Sequence, residues 1–298
     1  MNQKVAIIVL NWNNYEDTVK CIHSVQKITY PNYEIILVDN GSTNDSQKIL
    51  EKEFPDLKLI QTGKNLGYSG GNNQGIRHAL EHGADLVWIL NPDTAVAADA
   101  LEKMMQEVNE PGVGVVAPKI YFYDSPNKVW FVGGNLNMRT GQVGHKHEGE
   151  VDDGQFDKED KLEWATGASL LVKREVLKKI GLFDEKYFLF YEDVDLCVRA
   201  RRAGFKVAFA PKAKIWHEVG TTVGKNNPNN GYYRTRNRLY FVRKFNGLLW
   251  WLVFTMIFGL KLTARAAKSR ITGKNKEFVQ AGREGFLDFL NNNYGIRR

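Results

Sequence analysis

The sequence predicts an α/β fold built on a mostly parallel sheet with helices on both faces. Three observations carry this. Short, wholly apolar runs recur through the first hundred residues, as strands buried on both faces require. Segments of helical spacing separate them, and polar clusters close three of the runs. Residues 5–10 (VAIIVL) form the first strand, and 15–26 a helix with Val19, Ile22 and Val25 on one face. Residues 34–39 (EIILVD) are the second strand; a turn at Asn40-Gly41-Ser42-Thr43 leads to a helix near 46–54. A short strand at 57–61, a glycine-rich loop at 63–71 and a helix at 72–81 follow. Residues 86–90 (LVWIL) make the fourth strand, before a helix at about 98–108. In such sheets ligands lie beyond the carboxyl ends of the strands. There the chain carries Asn11-Trp12-Asn13, Asp39-Asn40 and Asn91-Pro92-Asp93.

The middle is less regular. Short apolar runs at 114–117 and 129–132 are separated by glycines, and the polar stretch 144–162 reads as a mobile loop or lid. Order returns at 164–172, with a helix at 174–180 and an aromatic segment 187–191 entering Glu192-Asp193-Val194-Asp195. A helix through Ala203 and two short strands, 206–210 and 214–217, complete this part.

Composition narrows the function classes. With 298 residues, 43% apolar and 25% charged, the chain is neither disordered, collagen-like nor coiled coil. Two cysteines cannot build a disulfide framework or a cysteine-rich zinc site. The first residues show no secretory pattern, so a reducing, cytoplasmic compartment is expected. Residues 199–298 hold 21 Lys and Arg against 4 Asp and Glu, a balance of +17; the first 198 hold 20 against 30, or −10. An acidic body with a basic tail is not the pattern of a nucleic-acid binder; it suggests a tail that meets phosphates or a lipid surface.

In that tail, 247–260 (GLLWWLVFTMIFGL) is almost wholly apolar between two basic segments. Fourteen helical residues span about 21 Å, short of the roughly 30 Å hydrocarbon layer. A helix lying in the interface, within a membrane-contacting region 239–276, fits better than a span. The alternative is a buried core or dimer helix, so a homodimer stays open.

Taken singly, the candidate site residues have plain structural readings. Asp39 can be an Asx-turn and Asp93 a helix cap. Glu192, Asp193 and Asp195 can bias a helix N-terminus, His217 can be structural and Trp164 core. Their joint order changes the reading. VAIIVLNWNN, EIILVDNGSTNDS, NLGYSGGNNQGI, LVWILNPDT, WATGASLLVKR, GLFDEKYFLFYEDVDLCVRARRAGF and IWHEVG resemble family 2 glycosyltransferases, over residues 4–245. Asn91-Pro92-Asp93 and Tyr191-Glu192-Asp193-Val194-Asp195 are similar to the rhamnosyltransferase branch. The resemblance implies a Rossmann-like GT-A fold with a helical, membrane-associating tail. The catalytic domain would be 1–230, with a nucleotide-sugar half (1–110) and an acceptor half (111–230), and the basic helical region 231–298.

It also implies roles. Asp193 would be the base that deprotonates the acceptor hydroxyl. Asp93, with His217, would hold a divalent cation, Mg2+ or Mn2+, that neutralises the departing diphosphate. Asn91, on the nucleotide-binding side, stands where the family has a first acid, which suggests weaker metal binding. Asp39 would read the N3–H of uracil or thymine, framed by Asn11 and Asn13; Asn65 and Gly67 would let backbone approach the ribose or diphosphate. Trp164, Thr166, Gly167 and Glu192 fall on the acceptor side, with Arg234 and Arg236 for a phosphate. The activity implied is inverting transfer, rhamnose from dTDP-rhamnose first, onto a lipid-linked saccharide of a cell-surface polysaccharide, at the cytoplasmic face of the membrane. UDP-hexoses or UDP-N-acetylhexosamines are alternative donors, and a non-catalytic nucleotide-sugar scaffold is a rival class. A nicotinamide oxidoreductase is disfavoured, because Asn11-Trp12-Asn13-Asn14 replaces the glycine fingerprint.

Overall fold

The computed structural model describes residues 2–157, 162–219 and 227–297. Strands β1 (Val5–Asn11), β2 (Tyr33–Asp39), β3 (Lys58–Gln61) and β4 (Leu86–Leu90) are mutually parallel, in the order β3-β2-β1-β4. Helices α1 (Tyr15–Val25), α2 (Ser46–Glu53) and α3 (Gly67–Glu81) make the crossovers. Every residue of β1 and β4 is buried, which is why those runs lack polar alternation. With β2 on one side of β1 and β4 on the other, the strand order reverses there, and a crevice opens at the carboxyl ends.

Helix α3 starts at Gly67, inside the stretch expected as a loop. A Cβ at Gly71 would lie 2.6 Å from Leu10 Cδ1, and one at Gly75 2.7 Å from Ile8 Cγ2. The glycines serve a helix pressed against β1. That close packing outweighs the roughly 1 kcal/mol each costs in helix propensity.

The sheet continues through the second half. A three-residue strand β5 (Thr94–Val96) precedes α4 (Ala100–Val108), followed by β6 (Val113–Phe122), β7 (Ser125–Phe131) and the hairpin β8 (Gly134–Asn137)–β9 (Gln142–His145). Then come β10 (Ser169–Lys173), α5 (Arg174–Ile180), α6 (Glu192–Arg202) and β11 (Lys206–His217). The full order is β3-β2-β1-β4-β10-β6-β11-β5, with β7 beside β6. β10 runs antiparallel between β4 and β6 and joins the two halves; Trp88 Nε1 donates to Ser169 Oγ across that seam at 2.8 Å. The two strands expected at 206–217 are one, with a register shift between Ala210 and Lys214 around Pro211, where the ladder lacks a donor.

The expected lid is tied down where it is described. Buried Lys119 Nζ bonds Asp152 at 2.8 Å and Asp157 at 2.6 Å, and Val151 bridges to Lys128. Residues 158–161 of that segment lie outside the described residues.

Three helices end the chain: α7 (Pro228–Phe245), α8 (Leu248–Thr272) and α9 (Lys276–Leu290). Phe241 of α7 belongs to the main core, and Lys244 Nζ bonds Asp184 (2.7 Å) and Asp195 (2.6 Å). Helix α8 runs 25 residues, well past the 14 expected, because its basic half stays helical. It is long and apolar enough to cross a membrane by length and composition, with 17% of its most apolar stretch buried. Leu249, Leu252, Met256 and Leu260 are exposed on it.

Candidate active site

At the carboxyl ends of β1 and β2, a closed network surrounds Asp39. Its Oδ1 accepts from Asn11 Nδ2 (2.7 Å) and Ser42 Oγ, and its Oδ2 from the Ser42 N–H (3.2 Å). A carboxylate has about four acceptor positions, so one remains, on Oδ2. The turn role and a ligand role are therefore compatible. Asn13, in the left-handed region at φ 56°, caps the Thr43 N–H at 2.8 Å. Asn65 Oδ1 accepts the Gly67 N–H at 2.8 Å. Asn40, part of the strand-end cluster but given no role from sequence, pins the same loop through Leu66 N–H and Gly67 O. At Gly67 the close approach is internal: a Cβ would lie 2.4 Å from Phe188 O. That glycine makes room for Phe188, a different reason from the ligand approach expected.

Opposite this network stands the head of α6. Phe188, Phe190 and Tyr191 all have φ between 64° and 75°, a conformation that costs bulky side chains free energy and marks an over-determined turn. The turn ends at Glu192 and Asp193. Asp193 Oδ2 accepts the Gly167 N–H at 2.8 Å, and the Gly167 carbonyl accepts from Tyr68 Oη at 2.6 Å. Burial raises the Asp193 pKa; the N–H groups of Gly167 and Val194 and the charge of Arg234 work against it. Burial, then the charges of Glu192, Asp193 and Asp93, hold the Tyr68 hydroxyl pKa well above its usual value.

Glu192 is buried, and its Oε2 has no partner among the described residues. Burial, then the neighbouring Asp193, push its pKa well above the ordinary value. Between the unfolded and folded pKa the native state holds more protons, so this group's contribution falls as pH rises. Glu192→Gln is expected to raise the melting temperature more at pH 8 than at pH 4, by about 2–4 °C per kcal/mol recovered. Thermal scans at both pH values check this. Asp195, by contrast, is fully buried and held by two cations and a phenol, Arg199 (2.6 Å), Lys244 and Tyr187, an architectural role.

Just beyond β4, Asp93 Oδ1 meets His217 Nε2 at 3.1 Å. With that N–H donating, His217 Nδ1 remains as a buried lone pair without a partner among the described residues. The antiparallel pairing of β5 with β11 brings the two together. The described residues contain no group of three His, Cys, Asp or Glu side chains able to hold a metal. A cation here would take one carboxylate and one imidazole, leaving the rest of its shell to phosphate and water, which suits Mg2+ or Mn2+. Asn91 N–H donates to Ala168 O, tying this end to the Thr166–Gly167 turn, where Thr166 Oγ1 accepts the Ala168 N–H.

Trp130 and His145 line this wall and were not anticipated. The Trp130 and His217 ring centres are 4.4 Å apart, and those of Trp130 and His145 4.6 Å. His145 Nδ1 lies 3.0 Å from Trp130 O, so it carries the proton and Nε2 is the acceptor. Burial holds the His145 pKa down.

Two expectations need correction. Trp164 is core: it is 4% exposed, packed on Phe131 and His145, and Gly134 leaves room for its indole. It does not form an open wall. Arg236 is fully buried and donates to the carbonyls of Lys186, Tyr187 and Gly295, so it is not on hand for a phosphate. Arg234, two residues earlier, is exposed, with its guanidinium 4.7 Å over the Phe190 ring.

Comparison with known proteins adds independent findings. The model of the family described as glycosyl transferase family 2 matches residues 6–181. The low-salt glycan biosynthesis hexosyltransferase Agl10 of Haloferax volcanii is 24% identical over 70% of this chain, which spans 64% of that protein's length. The N-acetylglucosaminyl-diphospho-decaprenol L-rhamnosyltransferase of Mycobacterium tuberculosis is 24% identical over 76% of this chain and 79% of its own. The dTDP-rhamnosyl transferase RfbF of Shigella flexneri is 24% identical over 82% and 81%. Among solved structures, the Pyrobaculum calidifontis mannosyltransferase PcManGT, in complex with GDP-Man and Mn2+, matches with a TM-score of 0.61 at 16% identity, covering 97% of this chain and 88% of that one.

Proposed function

Because this chain belongs to glycosyl transferase family 2, we propose that it moves a sugar, rhamnose from dTDP-rhamnose first, onto a lipid-linked saccharide. The observation that carries the reading is that one short turn, 166–168, ties the two acids' elements together: the Gly167 N–H donates to Asp193 Oδ2 at 2.8 Å, and Ala168 O accepts the N–H of Asn91, two residues before Asp93, at 3.0 Å. A direct displacement at the anomeric carbon needs two things there: a base for the acceptor's proton and positive charge for the departing diphosphate. Asp193 has one oxygen fixed by the Gly167 N–H; burial raises its basicity, and the aromatic turn behind it limits water. It takes the hydroxyl proton as the new bond forms. Asp39 accepts the pyrimidine N3–H on its spare Oδ2 position, and Arg234 faces a phosphate of donor or acceptor. Asp93 and His217 would hold a divalent cation, which when bound would supply positive charge to the diphosphate.

The donor and acceptor classes rest on the Mycobacterium and Shigella relatives, whose names specify rhamnosyl transfer and, for one, a diphospho-decaprenol acceptor. We assign residues 1–110 to the nucleotide-sugar half and 111–230 to the acceptor half. Packing of Phe241 and Lys244 argues for carrying the catalytic unit on through α7. The exposed apolar face of α8 beside the basic residues of 261–276 supports attachment to the cytoplasmic face of a membrane.

Release of nucleotide measured with dTDP-rhamnose, UDP-glucose and UDP-N-acetylglucosamine, with and without a polyprenyl-linked acceptor, tests this. Turnover with dTDP-rhamnose alone among them is expected; turnover only with a UDP-sugar rejects the rhamnosyl assignment, and none with any donor rejects transfer. Chelation of divalent ions is expected to abolish turnover and Mn2+ or Mg2+ to restore it. Asp93→Asn should raise the cation concentration for half-maximal rate about 10–100-fold. Asp39→Asn keeps the side chain's volume but removes an anionic acceptor. It is expected to lower kcat/KM about ten- to a hundred-fold, mostly through donor KM, as befits a ground-state contact.

A further inference from the structure

Three cations converge on a groove of about 570 Å3 between α8 and α9, remote in sequence from the cleft. Arg270 comes from the last turn of α8, and Lys276 and Arg283 from α9. Among the described residues none of the three has a side-chain hydrogen bond or ion pair, whereas the lining carboxylate, Glu284, is engaged by Arg297 at 2.6 Å. Helix α9 has Asn275 at its N-cap position without a side-chain cap, so its first N–H groups add positive potential at Lys276. Acidic Glu277 shares that turn but does not line the groove. The remaining wall mixes the polar Ser269 and Gln280 with an apolar strip of Ala266, Val279 and the half-exposed Leu287. Close by on α8, Ile271 is 86% exposed.

This combination distinguishes between ligands. A free phosphate would use the three cations and gain nothing from Val279 and Leu287. A phosphodiester carrying a glyceride would use both. We propose that the groove holds the phosphate of an anionic phospholipid headgroup. The inference rests on the membrane reading above and adds a charge-selective site to it. The apolar face of α8 then supplies non-selective attachment, and the groove chooses anionic lipid.

Sedimentation with vesicles of phosphatidylcholine, with or without phosphatidylglycerol, tests this on the full chain. Arg270→Gln/Arg283→Gln is expected to keep its melting temperature and its binding to phosphatidylcholine. It should lose about thirty-fold in affinity for the phosphatidylglycerol vesicles, and the milder Lys276→Gln about five-fold. Undiminished binding by both variants, alongside loss in Leu249→Ser/Met256→Ser, would overturn the groove and leave the membrane reading standing. Failure of the unmodified protein to bind either vesicle overturns both. Its release from vesicles by inorganic phosphate at constant ionic strength overturns the lipid assignment in favour of a free anion.

Discussion

Asp193→Asn is expected to lower kcat by about 10²–10⁴-fold, with the fold and donor affinity retained. The amide keeps the acceptor oxygen that receives the Gly167 N–H, so the latch from Tyr68 through Gly167 can persist, while the Val194 N–H loses its acceptor on Oδ1. What disappears is an oxygen able to accept the hydroxyl's proton. The pH profile makes the assignment sharper. Burial raises the pKa of Asp193, and Glu192 beside it is raised further by burial and by Asp193 itself. The active form is the deprotonated one, so kcat/KM should climb with pH through an apparent value above the ordinary carboxylate range. Two adjacent carboxyls titrate in two steps, of which this limb is the first. Glu192, the later of the two to ionise, is neutral while Asp193 titrates, so Glu192→Gln should leave that limb in place and remove the second step. Donor binding and kcat both unchanged in Asp193→Asn would remove the base from the proposal. A pH profile flat from pH 4 to 8 would do the same for its titration.

Some of this architecture is written plainly in the chain, and some is not. β1, β2 and β4 announce themselves because sheet burial on both faces confines polar residues to the strand ends, at Asn11, Glu34 and Asp39. β5 and the β8–β9 hairpin are too short to show a period. β11 is interrupted at Pro211, so it reads as two strands. Trp130 and His145 reach the cleft only through tertiary pairing. β7 lies antiparallel on β6, and β6 is in register with β11 so that Phe122 faces His217. No local pattern signals that. Among the arginines of α7, positions two apart differ by about 200° around the helix, so one faces the cleft while its neighbour turns inward. Spacing alone does not say which. The inward one is Arg236.

Arg236→Ala is therefore expected to act on stability first. Arg236 donates to Tyr187 O (2.8 Å), Lys186 O (3.2 Å) and Gly295 O (2.6 Å), and stacks on Tyr232 and Tyr233. Next to it, Asn237 Nδ2 donates to the carbonyls of Tyr187, Leu189 and Phe190 at 2.7–2.8 Å. Together they hold the turn whose three left-handed residues deliver Asp193. Truncation would leave carbonyls buried without donors, at about 1–3 kcal/mol each, and a cavity besides. A loss of about 3–5 kcal/mol lowers the melting temperature by roughly 10 °C in a domain this size. Arg236→Lys should recover little, because one ammonium cannot match a planar fork spread over separated carbonyls. What activity survives in Arg236→Ala should be reduced in kcat, since the turn that aims Asp193 has loosened. Arg234→Ala provides the contrast. Its side chain is exposed, so its melting temperature should hold while KM for the phosphate-bearing substrate rises. An unchanged melting temperature in Arg236→Ala, paired with a raised substrate KM, would return Arg236 to the phosphate and take the support away from the turn.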